Sequence, residues 1–455
     1  MERPGTSLPC GPQPTAAGGP TVLGAVLARA MAGDGQHAVR RWAGCGAMTL
    51  TGMSDGPPSA EPARVALGMD ALAEQLAVAS RSLGGEVTVD GAALLGERAA
   101  LAGLARRGRT SCGGGTRLLP TADGWMALSL ARGSDVELLD AWLEAPLAAA
   151  VTAPGNAHGG PPIDDAGWAR VEGEVARHPG VALVQRAGLL GLPCALLGEV
   201  SPADHALVAC DAVHSAPRPR GGLAGLMVVD LSSLWAGPLA GHLLGLGGAE
   251  VVKVESTGRP DGARSGPTEF FDLLHAGHRS VALDFTVPAG RAALLRLLLR
   301  ADVVVEASRP RALAGLGASF DLVHAEGWRG VWLSVTGHGR AGEAAMRVAF
   351  GDDAAAAGGL LAHAEGGPVF CADAIADPAT GLLGAVAVMQ MLAAGRSGRV
   401  SVSLAATAAH LAAGVHDNAA VAATPATVAK APHARQAGGV ARPLGADTAA
   451  VLEAL

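Results

Sequence analysis

From residue 226 onward, short unbroken apolar runs alternate with helix-patterned stretches, and that alternation confines the second half of the chain to α/β folds. Residues 226–231 (LMVVDL), 250–255 (EVVKVE), 280–283, 303–305 and 331–335 read as strands, and residues 239–246 and 288–300 as helices. A strand without polar alternation is buried on both faces, which calls for a parallel sheet covered by helices on each side. The expected fold is therefore α/β, a doubly wound and mostly parallel sheet that offers its ligand site in the loops at the carboxyl ends of the strands.

Composition narrows the function classes. The chain has 455 residues, 49% hydrophobic and 16% charged, so it can build a sizeable core and lacks the charge of a solvating tail. Its formal net charge of −7, from 34 basic and 41 acidic residues, gives no footprint for nucleic acid. None of the cysteines, Cys10, Cys45, Cys112, Cys194, Cys210 and Cys371, forms a C-x-x-C pair or has a histidine at ligand spacing, so no metal site and no disulfide framework is expected. The longest apolar stretch, 381–395, contains Gln390 and reads as too short for a bilayer, and the first apolar run, 21–28, lacks a basic flank. The expectation is a protein of the cytoplasm with no membrane partner.

Organisation shows in two further patterns. Residues 1–38 are rich in Pro, Gly and Ala and read as a mostly disordered lead-in with room for one short helix, and the Pro/Arg/Gly run near 216–222 reads as a linker. Trp42-Ala-Gly-Cys-Gly46 is echoed by Ala355-Ala-Ala-Gly-Gly359, and Gly85-Glu-Val87-Thr-Val89 by Gly398-Arg-Val400-Ser-Val402. Both pairs share one spacing, which also sets Arg64 opposite Asp377. A degenerate internal repeat is expected, with residues 42–105 a worn copy of 355–416.

An ordered set of segments then carries a family resemblance. Residues 229–238 (VDLSSLWAGP) resemble an opening strand and A-G-P loop, and residues 246–255 (LGGAEVVKVE) an L-G-A-x-V-I-K-V-E segment. Residues 276–284 (AGHRSVALD) resemble N-x-G-K-R-S-x-x-L-D, followed by 302–306 (DVVVE) with Arg309-Pro310 and Leu316-Gly317, then 334–339 (SVTGHG). Residues 377–381 (DPATG) are similar to D-x-x-T-G. Together they resemble the family III CoA-transferases, the carnitine and formyl-CoA transferase group that also contains α-methylacyl-CoA racemases. Residues 117–125 (RLLPTADGW) and Gly191-Leu192-Pro193 resemble the start and end of that family's small domain, and 443–448 (PLGADT) its tail. In the family the small domain follows D-x-x-T-G; here it precedes it, so the chain reads as a permuted or fused arrangement.

The resemblance implies the following plan. Residues 1–38 are the lead-in, 39–110 a degenerate copy of the central segment, 111–205 a smaller α/β domain, 206–222 a linker, 223–416 a Rossmann-like CoA-binding catalytic domain, and 417–455 a tail returning to it. It implies transfer of CoA between carboxylic acids, with acyl-CoA and an acid acceptor as partners, no permanently bound cofactor, and a homodimer, interlocked or with the extra copy standing in for part of the ring. Asp377 is implied as nucleophile, and Leu234, Trp235, Ala236, Leu283 and Arg347 as CoA contacts, while Ser256, Thr286 and Gly315 stand uncharged where the family has basic contacts. Arg309, Arg259 or Arg264 are candidate replacements, and Arg279 is either a ligand or the partner of a carboxylate at the sheet end.

The residues by themselves leave other readings. Asp377 before Pro378 also suits a helix N-cap, with a helix over 378–394. Asp352, Asp353 and Glu365 suit solvated loop carboxylates, and the glycines after Cys112 suit a plain linker. A racemase needs an acid/base pair, and no histidine stands at the family's position, His338 and His363 being elsewhere. A non-catalytic CoA-binding protein is the remaining alternative, favoured by Arg64 in the first copy, which cannot act as a nucleophile.

Overall fold

The computed structural model describes residues 22–147, 163–219, 221–414 and 427–455. The small sheet is antiparallel: β1 (Thr116–Pro120), β2 (Trp125–Ser129) and β3 (Cys194–Leu196) pair in that order. It packs on helices Asp165–Val175 and Gly180–Leu190 around Trp142 and Trp168.

The large sheet holds seven strands. In chain order they are β4 (Ala209–Ser215), β5 (Met227–Asp230), β6 (Glu250–Ser256), β7 (Arg279–Leu283), β8 (Val303–Glu306), β9 (Val331–Thr336) and β12 (Arg396–Ser403), with the hairpin β10 (Ala362–Ala364) and β11 (Gly367–Val369) standing apart. Across the sheet the order is β4-β12-β9-β8-β5-β6-β7, parallel throughout except for β4 against β12. The continuous apolar runs have the expected cause: β8 and β9 are buried along their whole length. Helices Ala236–Leu246 and Ala376–Ala393 belong to the core on one face, while Pro288–Arg300 and Phe320–Ala325 belong to the core on the other. The chain runs from β5 out to β7 and then returns to lay β8 on the opposite side of β5. That reversal makes the loop after β5 a topological switch point, where doubly wound sheets place ligands.

Four expectations need correction. The segment 206–222 is no mere linker, because Ala209–Ser215 forms the edge strand and Val400 pairs with Cys210. The lead-in contains the helices Leu23–Met31 and Gly35–Gly44, and the first buries Leu23, Leu27 and Met31; residues 1–21 lie outside the described ones. Residues 85–89 do not pair as a strand; the Val87 amide instead donates to Ser80 Oγ at 2.9 Å. The helix Ala376–Ala393 is, by length and composition, long and apolar enough to cross a membrane, and 83% of it is buried inside the protein, which makes it a core helix here.

Helix Arg64–Arg81 packs along Ala376–Ala393. Residues 427–455 bond both to residues 39–110 and to the large sheet. Lys430 N–H donates to Ala43 O at 2.9 Å, Arg435 forks onto Glu97, and the Asp447 amide and carboxylate bond Ser280 of β7 at 2.8 and 2.9 Å.

Candidate active site

The nucleophile candidate lies one residue inside a helix rather than at its cap. The helix starts at Ala376, the Asp377 amide donates to Ala374 O at 2.8 Å, and among the described residues the Asp377 side chain makes no hydrogen bond. The N-cap explanation therefore fails, since the carboxylate caps nothing. Asp377 is partly exposed between two buried neighbours, Ala376 and Pro378, so solvent or substrate can reach it.

The turn before this helix is strained. Ala372 (φ 52°) and Ala374 (φ 43°) are left-handed without being glycine, a conformation held only where surroundings over-determine it. Asp373 stands between them, fully buried, and receives Arg98 as a fork, Nε to Oδ2 at 2.9 Å and Nη2 to Oδ1 at 2.5 Å. The Ala374 amide donates to Asp352 Oδ1 at 3.2 Å, and Cys112 Sγ donates to Ala372 O at 3.2 Å. Gly351 lies so close that an added Cβ would sit 2.5 Å from Asp377 Oδ2 and 2.4 Å from Ala374 O. Any side chain there would displace the carboxylate.

Asp352 and Asp353 are thus not solvated loop carboxylates; both are buried in the first turn of helix Gly351–Ala357. Asp353 accepts from Ser129 Oγ at 2.6 Å and from the Phe350 amide at 2.9 Å, which ties the small sheet to the site. Nor are the glycines after Cys112 a plain linker. They form a turn in which the Gly114 amide bonds Ser111 O at 2.8 Å, and Gly113 faces Arg98.

Crowding in this corner shifts the titration of Asp377, Asp352 and Asp353. Burial pushes the Asp377 carboxyl from 3.8 up to about 7; Arg98 opposes the shift, and Asp352, Asp353 and Asp373 add to it. Asp352 also rises to about 7, through burial and then through Asp373, and Asp353 to about 7 through burial, against the Ser129 and Phe350 bonds. A raised acid is protonated below its pKa. Turnover that uses Asp377 as a nucleophile is expected to fall as pH drops below about 7 and to level off above it, read as the pH profile of kcat/KM.

The loop after β5 supplies the other wall. Leu234 is left-handed (φ 70°), and its amide donates to Asp261 Oδ1 at 3.0 Å. The buried Lys253 ammonium holds Asp261 Oδ2 at 2.9 Å, lies 3.5 Å from Asp230 Oδ2 and donates to Ser232 O. Burial works against that ammonium, but Asp230 and Asp261 outweigh it and keep it protonated. Replacing Lys253 by Met is expected to cost about 3–5 kcal/mol, because it leaves two buried carboxylates without their cation; urea unfolding at pH 7 checks this. Trp235, 1% exposed, packs edge-on to Phe270 at 5.2 Å and lies beneath Arg98, whose Cζ is 5.1 Å from the ring centroid. Ala236 is buried and its carbonyl lies against the nucleophile helix, where a Cβ on Gly381 would come within 2.5 Å. The glycine of D-x-x-T-G thus lets the two helices touch.

The structure packs the helix that carries Asp377 against Ala236 and sets Trp235 beneath Arg98, with Leu234 on the same loop. Leu283 instead ends β7 within the core of the opposite face. Arg347 bonds the Cys194 carbonyl at 2.8 Å and Glu199 at 2.5 Å, joining the small sheet to the large one. Arg264 pairs with Glu255 and Arg279 with Glu250 at 3.1 Å, the latter a sheet-end carboxylate. Arg64 donates to Met31 O and Gly33 O, both at 2.6 Å, behind helix Leu23–Met31. His338 is buried and His363 pairs with Glu61, and neither bonds any of the four aspartates. Sequence reasoning missed Arg98 and Asp373. For Asp373 the signal was a second acid four residues ahead of Asp377; Arg98 had none, being joined to the site only by the fold.

Residues 223–441 match the family described as CoA-transferase family III. The chain is 33% identical to an acyl-CoA transferase of Fusarium pseudograminearum, over 42% of this chain and 47% of that protein. It is 33% identical to a succinyl-CoA–D-citramalate CoA-transferase of Chloroflexus aurantiacus, over 32% of this chain and 39% of that protein. It is 32% identical to a succinyl-CoA:glutarate CoA-transferase of Mus musculus, over 37% of this chain and 41% of that protein. The chain thus spans less than half the length of these relatives.

Proposed function

With residues 223–441 matching the family described as CoA-transferase family III, we propose that the protein moves CoA between carboxylic acids with Asp377 as the covalent nucleophile. One observation carries the reading: a reachable carboxylate, without a hydrogen bond among the described residues, held beside Gly351 at the start of a helix whose Gly381 meets the Ala236 carbonyl. A carboxylate with no internal partner keeps its lone pairs for attack.

The cycle conserves atoms and charge at each step. Asp377 Oδ attacks the thioester carbonyl of acyl-CoA, the C–S bond breaks, and a mixed anhydride forms as CoA thiolate leaves. The thiolate attacks the aspartyl carbonyl, giving the Asp377–CoA thioester and releasing the first acid as its carboxylate. The second acid's carboxylate attacks the carbonyl of that thioester, the C–S bond breaks, and CoA thiolate leaves as a new mixed anhydride forms. Returning thiolate then attacks its acyl carbonyl, yields the new acyl-CoA and frees Asp377. The helix N-terminus favours the negative charge that develops in each addition.

Incubating the protein with a panel of CoA esters and acids, and following new CoA esters by mass spectrometry, tests the reading. Wild type is expected to exchange at least one pair and Asp377→Ala none. Equal exchange by both proteins would refute it. The proposed working form is a homodimer in the cytoplasm, as the family resemblance implies; light scattering reads its mass.

A further inference from the structure

We propose that Arg98 binds the carboxylate of the acid that accepts CoA, so that the segment preceding the family domain determines acceptor specificity. This rests on the covalent reading above and deepens it. Arg98 lies on helix Glu97–Ala102, outside residues 223–441, and reaches into the site from the other half of the chain. Its neighbour Glu97, 1% exposed, anchors that helix by a fork from Arg435 at 2.6 and 2.8 Å.

The guanidinium is fixed but incompletely used. Nε and Nη2 go to Asp373, and the plane lies over Trp235. Nη1 makes no hydrogen bond among the described residues, and the side chain remains 28% exposed. An oriented guanidinium with an open edge is the donor geometry a carboxylate needs.

The chemistry supplies the demand. In the acylation half the incoming group is a neutral thioester. In the second half a free carboxylate must approach Asp377, on which the charges of Asp352, Asp353 and Asp373 act, and so comes in against like charge. Arg98 is the cation whose charge reaches both Asp377 and Asp352. Losing it should therefore hurt the acid more than the acyl-CoA.

The test uses the full chain at pH 8.5, with acetyl-CoA as donor and succinate as acceptor, or the pair that the exchange panel returns. In Arg98→Gln/Asp373→Asn both buried charges are removed together. The expected result is a rise of about tenfold or more in KM for the acid, with KM for acyl-CoA and the rate of acyl-CoA-dependent hydroxamate formation at Asp377 within about threefold of wild type. Arg98→Lys keeps a cation for Asp373 but loses the fork, and gives the same readout, a smaller rise in acid KM, should the double variant fail to fold. An unchanged acid KM, or equal losses on both substrates, would overturn the proposal while leaving the covalent reading intact. Absence of hydroxamate in wild type would remove that reading and this proposal with it.

Discussion

Asp377→Asn is expected to reduce kcat for CoA exchange by roughly 10³-fold or more while making the protein more stable at pH 8. The two effects have one cause. Burial and three neighbouring carboxylates raise the folded-state pKa from 3.8 to about 7, so the unfolded chain ionises first as pH rises. Wild-type stability owed to this group is complete below pH 4 and lost as pH climbs through about 7. The amide never ionises and does not incur that penalty. The stability gain of the variant over wild type should therefore be near zero at pH 4 and largest at pH 8, read from urea unfolding at both values. An aspartate serving as an N-cap would show the opposite sign, since its removal costs about 1 kcal/mol at neutral pH.

Arg98→Ala is expected to destabilise the fold by about 3–5 kcal/mol, because it strands the fully buried Asp373 carboxylate. Among the described residues, the fork is one of two links from residues 39–110 to the strained turn at Ala372–Ala374, the other being the Ala372 amide, which donates to Thr51 Oγ1 at 3.0 Å. Adding Asp373→Asn should restore much of the loss, since a neutral amide tolerates burial better than an unpaired charge. A double-mutant cycle by chemical unfolding measures that coupling. Additive losses would mean that the two side chains do not depend on each other.

The parallel strands were legible because each is apolar without alternation, the one pattern that burial on both faces imposes. Helix Pro288–Arg300 was legible from Pro at its first turn and its apolar stripe. Ala209–Ser215 was not, because this edge strand exposes most of its residues and has no apolar run to show. Residues 85–89 show the converse: a V-x-V pattern without a partner strand yields no strand. At the site, Asp377 could be read from D-x-x-T-G, whereas Asp352 and Asp353 look like any solvated acidic pair until helix Gly351–Ala357 buries them. Arg98 meets Asp373 only through folding, and one chain carries no local trace of such a pairing.

The central claim is a covalent event at one carboxyl carbon. The protein is incubated with acyl-CoA and hydroxylamine, digested, and the peptide containing Asp377 is mapped by mass spectrometry. The account predicts a hydroxamate on Asp377 that needs both reagents and is missing from Asp377→Asn. CoA exchange that proceeds while Asp377 stays unmodified, or that marks another residue instead, would contradict it.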